Sequence, residues 1–96
     1  MYARVTPIRF PPALRTEVVG VAQGLVSVLQ QQRGYNGLNV LTDAEEGEGL
    51  IISYWETEAD AEASEASFSY IGQMSMMSSF LSERLISKTY DASVHA

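Results

Sequence analysis

Residues 49–56, Gly-Leu-Ile-Ile-Ser-Tyr-Trp-Glu, limit the fold more than any other segment. They are rich in β-branched and aromatic side chains, which suit a pleated, packed strand. Successive strand residues point to opposite faces. Leu50, Ile52 and Tyr54 therefore share one face, and Ile51, Ser53 and Trp55 share the other. Neither row reads as water-facing. An antiparallel sheet open to solvent on one side alternates cleanly, apolar in and polar out. The sheet built on this strand needs cover on both faces.

The rest of the chain offers one covering layer. Residues 2–10 alternate as a strand, with Pro7 at an edge or bulge. Pro11 and Pro12 end it and suit the first turn of a helix over residues 12–33. Leu14, Val18, Val21, Ala22, Leu25, Val26 and Leu29 recur there at steps of three and four, giving one apolar stripe. Gly20 and Gly24 share a face and suggest close approach to another backbone, or a break in the helix. Gly34 suits a left-handed cap. Residues 35–43 form a second strand, joined to 49–56 by an acidic turn with Gly47 and Gly49. Thr57 with Asp60 resembles a capping box, opening a second helix that runs to about residue 67. Ala59, Ala63 and Ala66 give it a small-residue face. Residues 67–82, where serines and methionines surround Gly72, read as a short helix or an irregular loop. Residues 83–91 alternate as a final strand, with Ile86, Lys88 and Tyr90 on one face. The order is βαββαβ: an α+β, ferredoxin-like, four-stranded antiparallel sheet with its helices on one face. The other face is left for a second copy, because two-fold dimers are the commonest oligomers. Two facing sheets make a dimeric α+β barrel, which can enclose an apolar ligand cavity.

Composition narrows the chemistry. A chain of 96 residues makes a single domain, 1–96. It buries only about 60–70% of its unfolded surface, which again favours a homodimer. There is no cysteine, and the one histidine is His95. Thiolate and histidine metal sites in the core, and so a bound metal, are not expected. A net charge of −6 disfavours nucleic acid as a partner. The charge is unevenly placed: residues 43–70 hold nine acids and no base. That block reads as a solvated turn and helix face, or as a patch meeting the basic first half of another subunit. The longest apolar run, 18–29, is interrupted and too short to span a bilayer. A cytoplasmic protein with no membrane contact is expected.

Two local patterns carry a family likeness. One is the Arg33-Gly34-Tyr35-Asn36-Gly37 break between helix and strand. The other is residues 49–56 running straight into Thr57-Glu58-Ala59-Asp60-Ala61, with Trp55 closing the strand before a helix led by small and acidic residues. Over roughly residues 2–91 the chain resembles the antibiotic biosynthesis monooxygenase (ABM) domain family of the dimeric α+β barrel superfamily. Its members include cofactor-independent oxygenases of polyketide-like aromatics and haem-degrading enzymes. The haem-degrading branch uses a histidine on the second helix, and residues 62–68 contain none. The resemblance thus implies a cofactor-independent monooxygenase acting on a small aromatic or polyketide-like compound. A non-catalytic dimeric binding or accessory protein of the same fold is the alternative.

The candidate residues each admit two readings. The resemblance implies that Trp55 lines the barrel cavity; otherwise it is a packed anchor between strand and helix. Tyr54 and Tyr70 are phenolic donors or half-buried packing groups. Arg4, with Thr6 on the same strand face, is a cavity cation for an enolate or phenolate, or it snorkels at the sheet edge. Phe68, Met74 and Met77, with Met76 and Phe80, are core or an adaptable lid hinged at Gly72. On this reading Trp55 and Tyr70 are catalytic, and Arg4, Tyr54, Phe68, Met74 and Met77 bind substrate. Asp43, Glu56 and Asp91 lie at strand ends and read as surface charges, so no base is evident.

Overall fold

The computed structural model describes residues 1–94; His95 lies outside them. The strands are β1 (Tyr2–Arg9), β2 (Tyr35–Asp43), β3 (Glu48–Trp55) and β4 (Lys88–Asp91). The helices are α1 (Arg15–Gln30), α2 (Glu58–Glu65) and α3 (Phe68–Ser78). The sheet is antiparallel in the order β2-β3-β1-β4. This is the ferredoxin-like α+β fold, with an added helix before the last strand.

Register fixes what each face carries. β1 and β3 pair from Tyr2 opposite Trp55 to Arg9 opposite Glu48. Arg4, Thr6, Ile8, Ile51, Ser53 and Trp55 are all buried under the helices. They meet Val18, Ala22, Leu25 and Leu29 of α1, Ala61 and Ser64 of α2, and Tyr70, Met74 and Met77 of α3. The opposite face holds half-buried Val5, Leu50, Ile52 and Tyr54, with Leu41 and Tyr90 exposed. The third strand is thus apolar on both faces, and the helices cover only one.

Several boundaries differ from the sequence reading. The first helix begins with a 3-10 turn, Pro12–Leu14, and its α-helical part ends at Gln30. Thr57 Oγ1 accepts from the Asp60 amide at 3.0 Å, as the cap pattern predicts. The second helix stops at Glu65, because Ser67 caps a new one by accepting from the Tyr70 amide at 3.2 Å. Residues 68–78 are therefore a regular helix that runs through Gly72, and they show no break there. In α2 the buried small residues are Ala61 and Ser64; Ala59, Ala63 and Ala66 face solvent. The last strand is shorter than 83–91, pairing with β1 only from Lys88 to Asp91. Gly24 does lie against a neighbour, but that neighbour is the side chain of Gln73, whose Nε2 donates to the Val21 carbonyl at 2.8 Å. A methyl added at Gly20 would meet nothing within 4 Å. Gly34 takes a φ of 78° and packs against Asp60 in the turn leading to β2.

Candidate functional site

The site starts from a lone arginine in a strand. Arg4 is 2% exposed, beneath α2 and α3. Burying a cation costs heavily unless its N–H groups are satisfied. Its Nη1 donates to the Ala61 carbonyl at 2.8 Å and to Ser64 Oγ at 2.7 Å. Those two residues lie one turn apart on α2, and their small side chains leave room for the guanidinium. Aromatic faces flank its sides. The guanidinium carbon lies 4.6 Å from the centre of the Tyr70 ring and 5.2 Å from that of Trp55. Both fall within the range for cation–π attraction. Glu65 brings a carboxylate oxygen to 3.6 Å from Nη1, on a side chain 46% exposed.

Trp55 is fully buried behind Arg4. Its Nε1 donates to Ser53 Oγ at 2.9 Å, two residues back on the same strand face. Tyr35 meets its ring edge-on, with centroids 6.0 Å apart. The indole is thus in contact with Ser53, Tyr35 and Arg4.

Tyr70 forms the outer layer. Together with Glu65, Met74, Leu85 and Ser87 it lines a recess of about 320 Å³. Burial pushes the Tyr70 phenol above its ordinary value, and the Glu65 charge adds to this. Arg4 and the Ser87 hydroxyl pull the other way. The phenol is therefore a neutral donor at physiological pH. Ser87 Oγ in turn lies 2.7 Å from the buried Thr6 Oγ1, so a line of hydroxyls runs from β1 to the recess wall.

The structure brings Arg4, Trp55, Tyr70 and Met74 together. Met77 is fully buried in the core beneath α3. The other two candidates stand apart. Tyr54 is on the uncovered sheet face, where its hydroxyl donates to Asn39 Oδ1 at 3.1 Å. Phe68 is 92% exposed at the start of α3. A cavity between two facing sheets would be lined by Tyr54, whereas Trp55 and Arg4 point to the helix side. Sequence reasoning missed Glu65, Ser64, Ser87 and Leu85. Thr6, on the same strand parity as Arg4, was the one available signal for the hydroxyl line.

A second recess, of about 640 Å³, opens on the uncovered face between Pro7, Leu41, Leu50 and Ile86, with Arg9, Arg84, Glu48 and Glu83 at its margin. Among the described residues no group of histidines and acids is placed to hold a metal. No helix there is long and apolar enough to cross a membrane.

Comparison with known proteins agrees with this architecture. Rv0793 from Mycobacterium tuberculosis superposes with a TM-score of 0.81 at 12% identity, covering 99% of this chain and 97% of that one. SnoaB, a cofactor-independent oxygenase from Streptomyces nogalater, gives 0.81 at 12% identity, covering 98% and 94%. A conserved protein from Methanosarcina mazei Go1 gives 0.79 at 15%, covering 94% and 91%. At such identities these likenesses are of fold alone. No curated protein matches the sequence. The model of one family, antibiotic biosynthesis monooxygenase, matches residues 1–70, the span from β1 through α2 to Tyr70 that supplies Arg4, Trp55 and Glu65. The chain belongs to the antibiotic biosynthesis monooxygenase family.

Proposed function

We propose that this chain is a cofactor-independent monooxygenase of a small aromatic or polyketide-like compound, bound in the recess beside Tyr70. The observation that carries the reading is the buried Arg4 stacked beneath the Tyr70 ring. A substrate of the anthrone or hydroquinone class becomes reactive toward dioxygen once deprotonated. The anion donates an electron to oxygen, and recombination followed by loss of water leaves a quinone. The protein has to bind the ring, exclude water and favour the anion. Met74 and Leu85 supply apolar wall, Tyr70 and Ser87 supply hydroxyls, and Arg4, buried behind the Tyr70 ring, supplies fixed positive charge. The recess, of about 320 Å³, is shallow and open to solvent, so a bound ring would lie against the Tyr70 wall rather than be enclosed. Trp55 acts through Arg4 as a positioning residue.

The uncovered sheet face supports a second copy as its cover, in a homodimer. Its apolar residues run across adjacent strands, from Leu41 through Leu50 and Ile52 to Tyr90.

Oxygen uptake with a panel of anthrones and hydroquinones tests the activity. The reading expects uptake by the wild type and a fall on Tyr70→Phe with folding intact. Saturable binding without uptake would instead identify a ligand-binding or accessory protein of this fold. Sedimentation reads the oligomeric state separately.

A further inference from the structure

Glu65 pairs only loosely with Arg4, and that pairing leaves much of its carboxylate uncommitted. It is the last residue of α2, and it lines the recess. Among the described residues it is the one carboxylate in that wall. Its contact with Arg4, at 3.6 Å, is longer than the 2.8 Å and 2.7 Å bonds that Ala61 and Ser64 already make to the same nitrogen. The arginine is therefore held without Glu65, and the carboxylate keeps its lone pairs for another partner. Its half-exposed side chain can turn toward a bound ring without uncovering the core.

We propose that Glu65 is the general base of this site, taking the acidic proton of an enolisable or phenolic substrate seated against Tyr70. This rests on the substrate class inferred above. In the step, the C–H or O–H bond of the substrate breaks. The proton bonds to a Glu65 carboxylate oxygen, and the electron pair stays on the ring as an enolate or phenolate. Nothing is oxidised yet; dioxygen accepts an electron only from the anion so formed. The transfer leaves the net charge of the site unchanged, since one negative charge leaves Glu65 as one arrives on the substrate. Tyr70 and Ser87, on the same wall, donate to the oxygen where charge develops. A base that contacts the reacting proton is typically worth 10²–10⁴ in rate.

Exchange without oxidation isolates the step. Anthrone is incubated anaerobically in D₂O with the protein, and loss of its methylene proton signal is followed by NMR. Wild type is expected to speed the exchange and Glu65→Gln to lose that acceleration by about 100-fold or more. Glu65→Asp should retain part of it. Anthrone binding, read by quenching of Trp55 fluorescence, and thermal melting should both stay near wild type in Glu65→Gln. Exchange at the wild-type rate in Glu65→Gln overturns the proposal, as does a wild type that gives no acceleration. Oxygen uptake is measured on the same samples. Exchange that depends on Glu65 without uptake upholds the base and refutes the oxygenase. Uptake with Glu65-independent exchange does the reverse.

Discussion

Replacing Arg4 with methionine removes a buried charge while nearly conserving shape, and the structure sets the size of the effect. The variant loses the Nη1 bonds to Ala61 O and Ser64 Oγ. Hydrogen bonds to charged groups contribute about 1.5–3 kcal/mol each, so a naive sum approaches 5 kcal/mol. Three features reduce it. Ser64 Oγ already donates to the Ala61 carbonyl at 2.8 Å, so neither acceptor is orphaned when the guanidinium goes. Glu65 is half exposed and rehydrates, and such a pair contributes only about 0–1 kcal/mol. Methionine also escapes the desolvation that a buried cation suffers, and its sulfur packs well between Trp55 and Tyr70. A net loss of about 2 kcal/mol is expected, which for a domain near 100 residues lowers Tm by roughly 8–16 °C. Urea and thermal unfolding of Arg4→Met, with Arg4→Lys beside it, measure this. The lysine variant keeps the charge but loses the planar stack and the fixed fork, so it should fall below methionine in stability. Methionine as stable as wild type would refute the idea that these bonds stabilise the fold. A loss near 5 kcal/mol would refute the claim that Ser64 and Ala61 satisfy each other.

Two further outcomes follow from local geometry. Gly20→Ala should raise stability by up to about 1 kcal/mol in urea unfolding, because its added methyl meets nothing and alanine favours helix. The same change at Gly24 should be near neutral, since the methyl evicts the Gln73 amide from the Val21 carbonyl and that loss offsets the propensity gain; equal effects at the two sites would refute the packing difference. The raised Tyr70 phenol gives a pH signature. The folded state holds that proton more tightly than the unfolded chain, so this contribution is intact below the ordinary value of 10.0 and fades as pH rises through the folded value. Wild type should therefore lose stability above pH 10.0 more steeply than Tyr70→Phe, and parallel slopes in unfolding scans would contradict the burial argument.

What the sequence made legible was periodicity. The two-residue period of 49–56 survives as β3, with Ile51, Ser53 and Trp55 inside. The Thr57 cap survives because its chemistry spans only three residues. Helix α3 was legible only as one of two readings, because serine and methionine give little contrast between faces, although Tyr70, Met74 and Met77 keep helical spacing and all are buried. The phase of α2 depends on where Thr57 starts it, and that phase turns Ala61 and Ser64 inward instead of Ala59 and Ala63. Glu65 was indistinguishable from its solvated neighbours in the acidic block, since its distinction is a position relative to Arg4, sixty-one residues away. Long-range placement of this kind has no signature in spacing.

The recess and the uncovered face lie on opposite sides of one sheet, and this bears on how the protein could be handled. In a pair joined across the bare face, the two recesses would look outward in opposite directions. A ligand would then reach either one without parting the copies, and a tether fixed at the bare face would leave both open.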